Sequence, residues 1–585
     1  MEEIASYERP TRGGRELLRI ETGLGPAGRP SAPPIKHFRR PVEYPFLASQ
    51  RADTTVLFGG LSPRHDRLME AALRGLGYRA RALPNVSLAG YERAKEYGNN
   101  GLCNPTYFTV GALVKYLQDL ESAGMRREDI VSRHVFVTAG SCGTCRFGMY
   151  EAEYRVALRH AGFDGFRVLL FGTDDGIDQS AGLKAGFEAN LDFFIGIISA
   201  FNIADILNQF LHTIRPYEVE EGAVDRVTDA ALSRLSSFLE HRKRFEVSES
   251  RARFLAATRF EKTADYFGKL LSELAREDLV AEMRGVAAMY DRVELDPFRV
   301  KPVVKLMGEF WAQITEGPGN FHMHRFLEKE GAEVSVDRSI LTRLAYLLHM
   351  HKQGTKDRKG LHGLRGRDRF RLDKWAGHYV QYYKKRCALT LAEKILEREN
   401  GRMLQAMGGT LHPMVSQYEL ERIASPFWNW RTSSGESHLE IAENIYYHQH
   451  SLCHMVLSVK PFTCMPSTQS DGVQAQVVEK FPGMIFLPIE TSGEGEVIAH
   501  SRVQMALGTA RAKARKEFSE ALARTGRTLP ELRRFADEHP ELKRPTYSVP
   551  HQPGVVGRAA NFALHVADLM AGRRARAATR PRSES

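Results

Sequence analysis

Cysteine is scarce in this chain, with six in 585 residues, too few for a scaffold built on disulfides. Long apolar runs are scarce as well. The most apolar stretch, residues 193–201, is followed by Asn202 and Asp205; it is too short to span a bilayer and is expected to form a buried helix. The opening residues Met1-Glu2-Glu3-Ile4 have neither a basic cluster nor an apolar core, so no secretion signal and a cytoplasmic location are expected. The phosphate loop GxxxxGK[ST] is absent, as is the DxG motif of actin/Hsp70-type ATPases, so the chain is not expected to hydrolyse ATP. Internal repeats of short period are absent too.

What is present fits a soluble globular protein, with 43% hydrophobic and 26% charged residues. Single cores stop growing near about 250–300 residues, so several domains are expected. The net charge of +11 is modest for this length. Basic residues concentrate in 352–374 and in Arg573-Arg574-Ala575-Arg576, which are read as a solvated linker and a terminus. No helix-turn-helix, zinc-finger or aromatic-basic RNA motif accompanies them, so no nucleic-acid partner is expected, and no membrane partner.

Residues 1–50 are rich in Pro, Gly and Arg without periodicity and are expected to form an extended arm. Val56-Leu57-Phe58 then reads as a strand, Gly59-Gly60 as a turn, 63–76 as a helix stopped by Gly77, and 78–83 as the next strand. Residues 135–138 and 168–171 supply further strands. The Gly-Gly turn is a weak nucleotide signal, lacking GxGxxG spacing. Residues 212–297 show helical spacing. A second block runs from Val303-Val304-Lys305-Leu306-Met307-Gly308-Glu309 through a helix over 322–330 and a strand at Ala332-Glu333-Val334 to strands at 455–459 and 485–488. The fold class that follows is α/β, with two Rossmann-like lobes of parallel sheet, a helical connecting segment and a cleft between lobes. The expected divisions are 1–50, 51–211, 212–297, 298–515 and a helical extension with a basic tail over 516–585.

Four cysteines share one setting, the end of a strand or the start of a helix: Cys103, Cys142, Cys145 and Cys464. They stand in Gly101-Leu102-Cys103-Asn104-Pro105, in Ser141-Cys142-Gly143-Thr144-Cys145-Arg146 and in Phe462-Thr463-Cys464-Met465-Pro466. Thiolates at helix N-termini are stabilised by unpaired backbone N–H groups and the positive end of the dipole. Arg146 is expected to lower the pKa of Cys145 further. Four such thiols point to one soft-metal site. Tetrahedral sulfur ligation suits structural zinc or an iron–sulfur cluster, and spacing does not separate them. A redox dithiol at Cys142-Gly143-Thr144-Cys145 and inert buried cysteines are the other readings.

Weaker candidates lie elsewhere. Glu309 at the end of a strand and Asn320 in Gly317-Pro318-Gly319-Asn320 offer a carboxylate and an amide for substrate. His450 and His454, four apart, would share a helix face, although they are read as satisfied or solvent-facing. Cys387 and Cys453 are read as ordinary.

The stretches that carry the cysteines resemble the benzoyl-CoA reductase and 2-hydroxyacyl-CoA dehydratase family, most closely the dehydratase-like C-terminal part of activase-fused proteins. The similar segments are residues 96–105, Cys145-Arg146-Phe147-Gly148-Met149-Tyr150, Gly308-Glu309-Phe310-Trp311 and Lys460-Pro461-Phe462-Thr463-Cys464-Met465-Pro466, within a likeness running from about residue 54 to about 510. The resemblance implies a cysteine-bound [4Fe–4S] or larger cluster, electron delivery from a separate ATP-dependent activase of actin/Hsp70-type fold, an acyl-CoA substrate, and a homodimer or heterodimer. It also implies that Cys103, Cys145 and Cys464 are the three usual ligands, with Cys142 a candidate fourth. The chain departs from the family in its long middle insertion and in having no fused activase.

Overall fold

Strands that parallel sheets bury on both faces are largely apolar, as Thr55–Phe58 is here, whereas the edge strand Arg79–Ala82 alternates arginine with alanine. In the computed structural model, the structure describes residues 46–140, 145–171, 185–243, 261–336, 339–357, 371–432 and 435–572. The first sheet comprises β1 (Thr55–Phe58), β2 (Arg79–Ala82), β3 (His134–Ala139) and β4 (Arg167–Phe171), in the order β2-β1-β3-β4 with every pairing parallel. The second comprises β5 (Val303–Gly308), β6 (Glu333–Val336), β7 (Met455–Pro461) and β8 (Phe486–Thr491), in the order β6-β5-β7-β8, again all parallel. This is the expected α/β class with two Rossmann-like lobes. One strand order is used twice. Each sheet reverses direction of growth between its first and third strands, the place where open α/β sheets form a ligand crevice at their carboxyl ends.

The β1 turn shows why a Gly-Gly signal alone misleads. The helix Pro63–Gly75 starts at Ser62, whose hydroxyl accepts from the His65 amide, and has Pro63 at its first position. The Gly60 and Leu61 amides donate to the Asp66 carboxylate at 3.1 and 3.4 Å. The Gly60 carbonyl accepts from the Trp311 indole at 2.7 Å. The amides that would cradle a phosphate are thus spent on Asp66, and the turn instead joins the two lobes.

The apolar stretch near residue 200 is longer than its sequence suggests. It forms a 24-residue helix, Leu191–Ile214, and by length and composition it is the one helix among the described residues able to cross a membrane. Expecting it to be too short was an error, because Asn202 and Asp205 do not end it. Both are buried with partners: Asn400 donates to Asn202 at 2.8 Å, and Asp205 accepts from His65 at 3.0 Å and from the Ile340 and Leu341 amides at 3.1 and 2.9 Å. The helix packs against both the helix Pro63–Gly75 and β6, so it is core to both lobes.

Where the lobes meet, charges are buried and paired. Arg215 donates twice to Glu328, at 2.7 Å each, and to Asp225 at 2.8 Å; His212 donates to Glu328 at 2.9 Å. Arg64 pairs with Glu316. His212 and His324 stack with ring centroids 4.7 Å apart. Burial first, with the nearby arginines Arg215 and Arg64 adding to it, holds both imidazoles well below their usual range and hence neutral. In the unfolded chain each takes up a proton near pH 6.5. Their contribution is therefore complete above that pH and is lost as the pH falls below it. Between pH 7 and pH 5 the loss is expected to be about 2 kcal/mol per histidine. Urea unfolding of the native chain and of His324→Phe at both pH values checks this; a wild-type-minus-variant difference that ignores pH rejects it.

Candidate metal centre at the ends of both sheets

Cys145 follows β3 and Cys464 follows β7, the third strand of each sheet, so the repeated strand order brings one thiol from each lobe to an equivalent sheet end. Cys103 and Cys464 are the N-caps of the helices Asn104–Ser122 and Met465–Lys480, and Cys145 precedes the single turn Arg146–Met149. Proline in the first turn costs no hydrogen bond and presets the helix after Cys103 and Cys464.

Three contacts draw these cysteines together. Arg146 donates to the Gly101 carbonyl at 2.6 Å and lies 3.5 Å from the Thr463 hydroxyl, so one side chain spans from the Cys103 loop to the Cys464 loop. A side chain at Gly435, where φ is +63°, would meet Pro466 at 2.8 Å and the Cys145 Cβ at 3.9 Å, so only glycine fits between the Cys145 and Cys464 segments. The Glu309 carboxyl acts electrostatically on all three thiols. Thr463, a β-branched residue in the left-handed region at φ +66°, immediately precedes Cys464. Such a backbone costs of order 1–3 kcal/mol and is typical of functional loops.

Each buried sulfur has hydroxyl partners. Cys103 Sγ lies 2.9 Å from the Tyr150 hydroxyl and 3.3 Å from that of Thr106. Ser467 donates to Cys464 Sγ at 3.3 Å. The expectation that helix ends and Arg146 would depress the thiol pKa is corrected here. Burial pushes all three up, Cys145 to about 12, and the Glu309 carboxyl adds to it, joined at Cys145 and Cys464 by that of Glu436. Desolvation outweighs the dipole, and Arg146 is spent on Gly101. A bound cation reverses the balance, since a coordinating thiol is deprotonated.

Glu309 ends β5 beside Gly308, where any side chain would strike the Val459 carbonyl. It caps the helix Phe310–Ile314, accepting from the Ala312 amide at 2.9 Å. Burial, reinforced by Glu436, pushes its carboxyl up to about 8. Glu436 accepts from the Phe310 amide at 3.1 Å and lies 3.8 Å from Arg343. Asn320, by contrast, is buried and spends its amide on the Ala312 and Thr315 carbonyls at 3.0 and 2.7 Å, as a staple of its own loop.

Other expectations resolve simply. Cys142 lies outside the described residues. Cys387 is exposed and Cys453 half-buried. His450 and His454 do not share a helix face, because the helix Ser437–Gln449 ends before them. His450 is 3.3 Å from Glu419, while His454 accepts from the Val303 amide at 2.9 Å and lies 3.3 Å from Glu517. Sequence reasoning missed Thr106, Tyr150, Ser467, Arg343 and Glu436. The first and third had a signal: Cys103-Asn104-Pro105-Thr106 and Cys464-Met465-Pro466-Ser467 share the spacing of cysteine, proline and hydroxyl.

Among the described residues, no three His, Cys, Asp or Glu side chains form a group that could hold one metal ion as they stand. Ligands of one tetrahedral ion stand about 3.8 Å apart given 2.3 Å bonds, whereas those of a cubane spread over roughly 7 Å. Soft thiols with hydroxyl partners are a donor set that suits zinc and an iron–sulfur cluster alike. No family model, curated protein or solved structure matches this chain.

Proposed function

We propose that this chain is an iron–sulfur protein of the benzoyl-CoA reductase and 2-hydroxyacyl-CoA dehydratase type, active on an acyl-CoA in the reducing cytoplasm. The observation that carries this reading is the set of contacts that link Cys145 and Cys464, at equivalent ends of the two sheets, with Cys103 at the start of a helix. Cys103, Cys145 and Cys464 would hold a [4Fe–4S] cluster, which when bound supplies one-electron chemistry, and Cys142 is the candidate fourth ligand. The electron comes from a separate ATP-dependent activase, since this chain has no phosphate loop of its own. Tyr150, Thr106 and Ser467 place hydroxyls on the ligand sulfurs, which tunes the potential. Burial raises the Glu309 carboxyl to about 8, and it acts electrostatically on all three thiols, so it would be the candidate proton donor to a departing hydroxyl.

A second reading, a non-catalytic zinc or iron–sulfur centre that ties the lobes together, is favoured by the burial of Cys103 and Cys464. Anaerobic purification with iron, sulfide and zinc analysis and EPR separates a cluster from zinc, and turnover of an acyl-CoA by the reduced protein separates a catalytic cluster from a structural one. Brown protein with iron and acid-labile sulfide in similar amounts, bleaching in air, is the expected result. Stoichiometric zinc without sulfide, retained in air, would sink the proposal in favour of the second reading.

A further inference from the structure

The helix Leu372–Ala406 is 35 residues long, about 52 Å at 1.5 Å per residue. Its later part is anchored in the fold by Leu396, Met403 and Leu404, which are buried. Over residues 372–391, by contrast, Tyr382 is the one buried side chain among those described. Large apolar side chains there face solvent: Leu372 is 85% exposed, Val380 66%, Tyr383 53% and Leu391 48%.

Their arrangement is not scattered. At 100° per residue, Leu372, Tyr379, Val380, Tyr383 and Leu391 fall within one stripe about 120° wide. Tyr382 and the half-buried Trp375 and Leu389 turn towards the body. The adjoining sector carries Lys374, Lys384 and Lys385, all exposed. The segment thus has three faces: one packed, one apolar and solvent-facing, one basic.

The combination selects among occupants. A second copy of the chain would bring lysine flanks of like charge together. Cores of protein–protein interfaces are depleted in lysine. Single-stranded nucleic acid uses aromatic and basic side chains but gives exposed Leu372, Val380 and Leu391 no role. An anionic lipid surface uses every part: aliphatic side chains enter the acyl boundary, tyrosines sit at headgroup level, and lysines meet the negative headgroups. We propose that residues 372–391 form a docking helix that lays this stripe on an anionic bilayer surface. The helix lies on the membrane and does not cross it, and the proposal is independent of what the cysteines bind.

The test is co-sedimentation of the full chain with vesicles of pure phosphatidylcholine and of phosphatidylcholine containing one quarter phosphatidylglycerol, at low and at physiological salt. Binding is expected to the anionic vesicles and to weaken with salt. Lys384→Ala/Lys385→Ala should lower the partition coefficient about 25-fold, from about fivefold per lysine at such a surface. Leu372→Glu/Val380→Glu should abolish binding, and because both side chains are exposed the unfolding midpoint should stay unchanged. Equal binding to neutral vesicles, or binding that survives Leu372→Glu/Val380→Glu, overturns the proposal. So does a dimer, seen by light scattering, that this same variant dissolves without any vesicle binding by the native chain, since the stripe then belongs to a second copy.

Discussion

Serine in place of Cys464 is expected to strip most of the iron from anaerobically prepared protein. The substitution removes a soft ligand and its negative charge, and serine's harder oxygen matches iron poorly. Loss of a residue that merely supports a ligand costs about 10–100-fold in metal affinity, and loss of a ligand should exceed that. Cys103→Ser and Cys145→Ser should behave alike, and because metal binding and folding are coupled all three should loosen the junction of the sheets. Cys387→Ser, altering an exposed cysteine within the helix Leu372–Ala406, should keep full iron. Cys142→Ser separates two chemistries. Retained iron with an altered EPR signal indicates three protein thiolates and an iron open to substrate, whereas full loss indicates four and a centre confined to electron transfer. Unchanged iron in Cys464→Ser would remove the second lobe from the site altogether.

Glu328→Ala is expected to produce the largest loss of stability of any single change described here, about 3–5 kcal/mol. The carboxylate satisfies two donors of Arg215 and one of His212, all with little solvent access. Removing it leaves a buried guanidinium with Asp225 as its one remaining acidic partner among the described residues. That loss is a large part of the 5–15 kcal/mol by which native proteins exceed their unfolded states. Replacing both partners, as Arg215→Met/Glu328→Leu, should cost far less, because no charge is stranded. Urea midpoints of the two variants check the pair; equal losses would show that packing rather than charge dominates. Iron content in Glu328→Ala, with every cysteine intact, reports whether the site depends on how the lobes dock.

The central strands were legible in the sequence because parallel sheets demand largely apolar runs, and Val303–Gly308 and Met455–Pro461, interrupted by Lys305, Ser458 and Lys460, are buried at every residue. The cysteine positions were legible for a local reason too: each stands just before a helix or helical turn, two of them with proline close behind. The rest was written in long-range contacts. Glu436 and Arg343 reach the site from helices with no motif of their own. The upward shift of the thiols comes from burial, to which carboxyls from the second lobe add at Cys103 and Cys145. Asn202 and Asp205 look like the end of an apolar helix until Asn400, His65 and the Ile340 amide are seen to satisfy them. The duplicated strand order left no trace as a sequence repeat, because it is a property of pairing and not of residue identity.

The spacing of the thiols along the chain also sets a schedule for making the protein. Cys145 leaves the ribosome 319 residues before Cys464, the difference of the two positions. At about 5–20 residues per second that is an interval of roughly 15–65 s. For that time the first lobe carries Cys103 and Cys145 without the helix and loop that later cover them. A nascent chain in that state is vulnerable to oxidation and to capture of the wrong metal. If the thiols hold the proposed cluster, its delivery would follow release of the second lobe, and slower translation should lower the fraction of chains that receive one.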